Sequence, residues 1–379
     1  MADHITHDPI YNTIDRDDFP ALVQVDRYNE RTDAFDGIIS ATHDHFWDPT
    51  DKRYVDFSEP FDLDEQLLMP KEFAPELSTA VVDKLDERQR IQLANEVTRW
   101  GISNILHGEQ GALSLSASLC HILRDPGALE YAANQAREEA RHVTGFSMYV
   151  MHRWGAALPA GRTLSNMLNE LVYAPEVYKK LVGMQMLVEG LAMGAFATFH
   201  AKTNDPVLRK LVQLVMTDEA FHHKFGKIWA DRTVPKLSEQ EHEKVEQWAA
   251  QCFQTLLFNL VNPEQKQLIY AQFGLDWKWV SAAVAEAFTD QRRREMMTES
   301  TNIFRVLIKT LLKAGIITDR TKSLYAMWVD MDELAGESDE VVGQEVADQG
   351  IEFLREINRS RKKIGRALKE PNGAAGATG

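Results

Sequence analysis

Two glutamates, Glu139 and Glu219, each stand three residues before a histidine, His142 and His222. Residues three apart on an α-helix share a face, so each Glu-x-x-His pair can bring a carboxylate and an imidazole to one place. Thirty residues before each pair stands a further glutamate, Glu109 and Glu189. Four carboxylates and two imidazoles form a donor set for two metal ions. Hard oxygens dominate while two nitrogens remain, which suits iron or manganese better than zinc, calcium or copper.

The spacing belongs to an internal repeat. Glu109, Asp125, Pro126, Glu139, Ala140 and His142 recur as Glu189, Asp205, Pro206, Glu219, Ala220 and His222, displaced by 80 residues without a gap. Asp before Pro opens a helix, because Asp accepts from exposed N–H groups and Pro fills the first turn without losing a needed donor. From the lone glutamate to the Asp is 16 residues, and from the Asp to the paired glutamate 14. A helix therefore climbs ~24 Å and its neighbour returns ~21 Å, which sets both carboxylates at one height on antiparallel helices. Two such hairpins supply the inward-facing set of a di-iron or di-manganese four-helix bundle.

The motifs E-E-A-R-H from Glu138 to His142 and D-E-A-F-H from Asp218 to His222, with lone glutamates at 109 and 189, resemble the ferritin-like di-iron carboxylate superfamily. That group spans monooxygenases, desaturases, N-oxygenases, reductase subunits and deformylating oxygenases. The likeness covers about 109 to 232. It implies that Glu139 and Glu219 bridge two ions while Glu109 and Glu189 are terminal. It also implies that Asp218 holds His142 and Glu138 holds His222, since a ligating histidine usually gives its other N–H to a carboxylate. Arg141 would join Asp218 in that network. Where arylamine N-oxygenases carry an extra histidine, this chain has Val215.

The implied activity is that of a dioxygen-activating oxidoreductase acting on a small organic substrate by hydroxylation, epoxidation, N-oxygenation or desaturation. The cofactor would be two Fe ions, or manganese paired with iron, with dioxygen as co-substrate. The alternative is a ferroxidase or iron-handling role, against which stand about 75 residues before the bundle and more than 140 after it. No Gly-rich dinucleotide fingerprint or cysteine set for a cluster is present, so electrons would come from an external reductase or ferredoxin. Beyond the ligands, Leu113 and Ser116 on one helix and Met193 and Phe196 on its repeat mark a candidate substrate pocket; ordinary core packing is the plainer reading. His107, His121, His152 and His200 lack a partner at useful spacing and read as structural or exposed, and His223, directly after a ligand, points about 100° away from it.

The elements that position these residues are helical throughout. Apolar residues recur three and four apart from about 78 to 335, and strand-like alternation is scarce. The expected fold is all-α: a ferritin-like four-helix bundle with additional C-terminal helices and an irregular N-terminal arm. Residues 1–75 would wrap the core through Phe46, Trp47, Tyr54, Phe57 and Phe61, 76–235 form the bundle, 236–335 buttress it and could form a homodimer face, and 336–379 make a basic C-terminal helix and flexible tail. Helices are expected near 86–124, 126–156, 175–203, 206–232, 238–260, 275–297, 299–315 and 340–364. The 18-residue loop 157–174, roughly 55 Å if extended, would cross between hairpins.

A formal net charge of −15 disfavours nucleic acid, which needs a basic face. The basic stretch 355–369, with Arg359, Arg361, Lys362 and Lys363, is a candidate dock for an acidic electron donor, or a solvated face. Cys120 and Cys252 are the two cysteines, too few for a disulfide framework. No signal-peptide pattern is found and the apolar runs read as too short to span a membrane, so the expected location is cytoplasmic.

Overall fold

The three longest helices each begin at an aspartate whose side chain caps the first turn. In the computed structural model, which describes residues 11–43, 45–261, 263–287, 303–337 and 342–359, the helices of seven residues or more are α1 (Asp36–Thr42), α2 (Glu87–Leu119), α3 (Pro126–Trp154), α4 (Arg162–Tyr173), α5 (Val177–Lys202), α6 (Pro206–Thr233), α7 (Glu239–Val261), α8 (Trp277–Ala287), α9 (Ile303–Lys313) and α10 (Gln344–Arg359). No strand occurs among the described residues. Asp86 and Gln89 close a capping box on α2. The two Asp-Pro steps behave alike: Asp125 accepts from Gly127 N–H at the start of α3, and Asp205 from Val207 N–H at the start of α6.

Helices α2 and α3 pack along their length as one hairpin, α5 and α6 as another, and α3 lies against α6 between the pairs. Helix α10 covers α6, and α9 covers α5. Two buried apolar clusters run through this assembly. One holds Leu115, Tyr131, Met186 and Phe225; the other holds Ile102, Phe146, Met193 and Leu214. On α2, α3 and α5 the metal-type residues fall between the two clusters in sequence, and on α6 they straddle the end of the second cluster at Ala220, so hydrocarbon flanks the polar site on both sides along the helices. The N-terminal segment contributes to the second cluster, where Trp47 and Tyr54 are buried to 2% exposure or less.

Three expectations are corrected. The stretch 157–174 is not a loop: Arg162–Tyr173 is helical, with Leu164, Met167, Leu168 and Leu171 buried. Those four residues have helical spacing, and burying their stripe against α2 and α7 outweighs the flanking breakers. Second, Val177–Lys202 is long and apolar enough to cross a bilayer, contrary to the expectation of short apolar runs, but 67% of its most apolar window is buried inside the protein, as in a core helix. Third, its stretch Leu181–Val188 winds as a π-helix, where the periodicity predicts an α-helix. The expected helical segments 288–297, 299–302, 340–341 and 360–364, and the basic residues Arg361, Lys362 and Lys363, lie outside the described residues.

Candidate metal centre

Glu109 from α2, Glu139 and His142 from α3, Glu189 from α5, and Glu219 and His222 from α6 meet in one buried cluster, each at 5% exposure or less. Ligand-type atoms of Glu109, Glu139, His142 and Glu219 lie within 4.8 Å of one another, and so do those of Glu139, Glu189 and His222.

The two histidines organise the cluster. His142 Nδ1 faces Glu109 Oε2 at 3.1 Å, Glu219 Oε1 at 3.2 Å and Glu139 Oε2 at 3.3 Å. His222 Nδ1 faces Glu139 Oε1 at 3.1 Å and Glu219 Oε2 at 3.2 Å. Glu139 and Glu219 thus each give one oxygen to each histidine and span the two halves, whereas Glu109 and Glu189 each close one half. The other ring nitrogen of each histidine is taken by an acid across the bundle. His142 Nε2 lies 2.9 Å from Asp218 Oδ2, and His222 Nε2 lies 3.0 Å from Glu138 Oε2.

This arrangement fits two cations. One N–H cannot satisfy three carboxylates converging on the same nitrogen. A proton placed on each Nε2, where an acid accepts it, leaves the Nδ1 lone pair facing carboxylate oxygens, an orientation that a cation between them makes favourable. Glu139 Oε2 and Glu189 Oε2 are buried with no hydrogen-bond partner. Six carboxylates are buried here with the guanidinium of Arg141, an excess of negative charge that two divalent ions would nearly balance.

Protonation follows the same competition. Burial first, and neighbouring carboxylates after it, push Glu109 and Glu189 well above the usual carboxylate range. Burial also raises Glu139, but the two imidazoles, His222 foremost, outweigh it and hold the group below that range. At His142 and His222 burial opposes charge, yet the surrounding carboxylates win and raise both. Protons and metal ions therefore compete for one space, and metal uptake would release protons.

Asp218 is the most heavily used acid. Arg141 Nη2 donates to its Oδ1 at 2.7 Å, Trp47 Nε1 donates to Oδ2 at 2.9 Å, and His45 Nε2 lies 3.2 Å from Oδ1. Burial works against its charge, but Arg141, then His142 and His45, keep it ionised well below the usual range. His45, Glu138 and Asp218 also lie within 4.8 Å of one another. Arg141 already occupies that position, 3.6 Å from Glu138 Oε1, so no third cation is needed.

Three contributors are not anticipated by the motifs. His45 and Trp47 arrive from the N-terminal segment, and nothing in local spacing joins residue 47 to residue 218. Gln135 had a signal: it stands four residues before Glu139, on the same helix face. Its Nε2 donates to Glu189 Oε1 at 2.8 Å and to Glu139 Oε1 at 3.1 Å, tying the two hairpins together.

Among the expected pocket residues, Met193 borders open space. Met193 lines a cavity beside α5 that does not include Leu113, Ser116 or Phe196. Phe196 instead stacks on Phe146, with centroids 5.6 Å apart, and Ser116 is buried in α2. Among the other histidines, His107 Nε2 bonds the Leu158 carbonyl at 2.8 Å, His152 stacks on Phe57, and His223 hydrogen-bonds the Gln185 backbone. The chain matches no protein-family model, no curated protein and no solved structure.

Proposed function

We propose that this chain is a non-haem di-iron oxidoreductase of ferritin-like architecture that activates dioxygen to oxidise a small organic molecule. The observation that carries the reading is the pair of carboxylates, Glu139 and Glu219, each facing both histidine Nδ1 atoms from inside an apolar core. Glu109, Glu139, His142 and Glu219 would hold one metal, and Glu139, Glu189, His222 and Glu219 the other. When bound, the two irons supply the electrons that reduce dioxygen.

The chain's own residues prepare the site. Asp218 and Glu138 keep the protons on the Nε2 atoms of His142 and His222, so that Nδ1 is free to ligate. Gln135 orients Glu189 and Glu139 together. Arg141 balances the charge of Asp218, and Trp47 fixes that carboxylate from the N-terminal side. The two apolar clusters keep water from the reacting space.

The test is dioxygen uptake by iron-loaded protein with a chemical or ferredoxin electron source, across a panel of fatty acids, aromatic acids and arylamines. Uptake coupled to oxidation of one panel member is expected, and is absent from Glu219→Ala. Consumption of dioxygen that no organic compound accelerates, with ferric mineral as the sole product, would favour iron handling instead.

A further inference from the structure

A cavity of about 760 Å³ opens between α5, α6, α9 and the start of α10, in the size range of sites that enclose small organic ligands. Its floor includes Met186, Met193 and Ala197 of α5 and Val306 of α9. Met186 precedes Glu189 by three residues and Met193 follows it by four, so the floor lies within about a turn of a proposed ligand. Methionines at such a floor adapt to varied apolar shapes.

The rim has the opposite character. Lys224 and Lys227 of α6, with Arg305, Lys309 and Lys313 of α9, line it. Two lining carboxylates, Glu337 and Glu345, and two that pair with the lining from just outside it, Asp231 and Glu333, offset four of these five cations in formal charge. Some of that charge is engaged. Arg305 is buried and fully engaged, donating from Nε to Glu337 at 2.9 Å and from Nη2 to Glu333 at 3.0 Å; Lys309 lies 3.4 Å from Glu337, and Lys227 turns to Asp231 at 2.9 Å. Lys313 caps the carbonyl of Glu337 at 2.7 Å. Lys224 forms no ion pair among the described residues, and its ammonium lies 5.1 Å from the centre of the Phe221 ring. A concave, cation-rich rim concentrates anions from solution.

We infer that this cavity is the substrate site and that its ligand is an anionic amphiphile. An apolar body would lie on Met186, Met193 and Val306, and a carboxylate or phosphate would meet the lysines of α6 and α9. The inference rests on the oxidoreductase reading for its link to chemistry, but the binding itself does not require metal.

Calorimetric titration of the full chain, metal-free and iron-loaded, with decanoate, decyl phosphate and 1-decanol tests it. Both anions should bind at least about tenfold more tightly than the alcohol, as charge-assisted hydrogen bonds imply. A preference between the anions identifies the head group as carboxylate or phosphate. The double variant Lys224→Gln/Lys313→Gln should erase the advantage of the anions while leaving decanol unchanged. Ala197→Phe, which fills the floor and keeps the charges, should abolish binding of all three. Should the double variant not fold, rising salt on the native protein gives the same readout, weakening the anions alone. Equal affinity for decanol and decanoate, or anion binding that survives Ala197→Phe, overturns the assignment. Iron content of the same samples separates the two readings: binding without iron retention keeps the cavity assignment and removes the metal centre, and iron retention without binding does the reverse.

Discussion

At His142 and His222 the two ring nitrogens have different duties. Nε2 is fixed by an acid on the partner hairpin, and Nδ1 is left facing the carboxylates. Replacing Asp218 by Asn should preserve the fold but weaken metal binding about 10–100-fold, the usual cost of removing such a partner. Competition with a chelator measures this, and unchanged affinity would show that Asp218 is merely packed. The six proposed donors were legible in the sequence because their relations are local: three residues within a helix, and a hairpin that counts out equal heights. His45 and Trp47 were not, because their place beside Asp218 depends on where a segment without periodicity settles across the bundle.

Helix α5 shows why a repeat with exact spacing of its key residues does not produce identical helices. Its residues Leu181–Val188 form a π-helix, whereas the α2 residues leading to Glu109 are α-helical. An i→i+5 bond accommodates about one extra residue, which rotates the N-terminal part of α5 relative to the part that carries Glu189 and Met193. The close approach of α6 depends on Gly226, where a Cβ would lie 3.0 Å from Gln185 Cβ and 3.1 Å from Met186 Cγ. Gly226→Leu is expected to cost about 1–3 kcal/mol by overpacking, read from urea unfolding. No residue pattern announces a π turn, so the sequence alone does not reveal it; the stripe of α4 was readable, but Pro159 and Pro175 on either side of it suggest a loop.

The start of α5 carries its own pH signature. Lys180 is buried, with Nζ donating to Ser118 Oγ at 2.8 Å and to the Val172 carbonyl at 2.5 Å. Burial pulls its pKa from 10.5 down to about 8. Below pH 8 folded and unfolded chains both hold this proton, and between about 8 and 10.5 the unfolded chain binds more of it. Its contribution to stability therefore rises with pH across that window. Lys180→Met should flatten part of the rise in unfolding midpoint between pH 8 and pH 10, and an identical slope in the variant would contradict the assignment.

Across the whole molecule, the polar centre is tolerated because four helices enclose it between two apolar clusters. Composition and helical periodicity were enough to anticipate an all-helical chain, since both are summed over hundreds of residues. They could not tell which cavity would open, because that depends on how α9 and α10 lie against α5 and α6. A folded-state metal site also links metal to stability. Ferrous iron at a hundred times its dissociation constant should raise the unfolding free energy by about 2.7 kcal/mol, visible as a higher melting temperature under anaerobic conditions. An unshifted melting temperature would mean that the cluster binds no iron in the folded state.

The most direct measurement is iron stoichiometry per chain, with Mössbauer spectra of iron-57 loaded protein, for the native chain, Glu139→Ala and Glu189→Ala. Two irons in a coupled pair are expected for the native chain, with loss of the pair in Glu139→Ala and preferential loss of one iron in Glu189→Ala. A single uncoupled iron in the native protein, or a coupled pair that survives Glu139→Ala, would contradict the dinuclear centre.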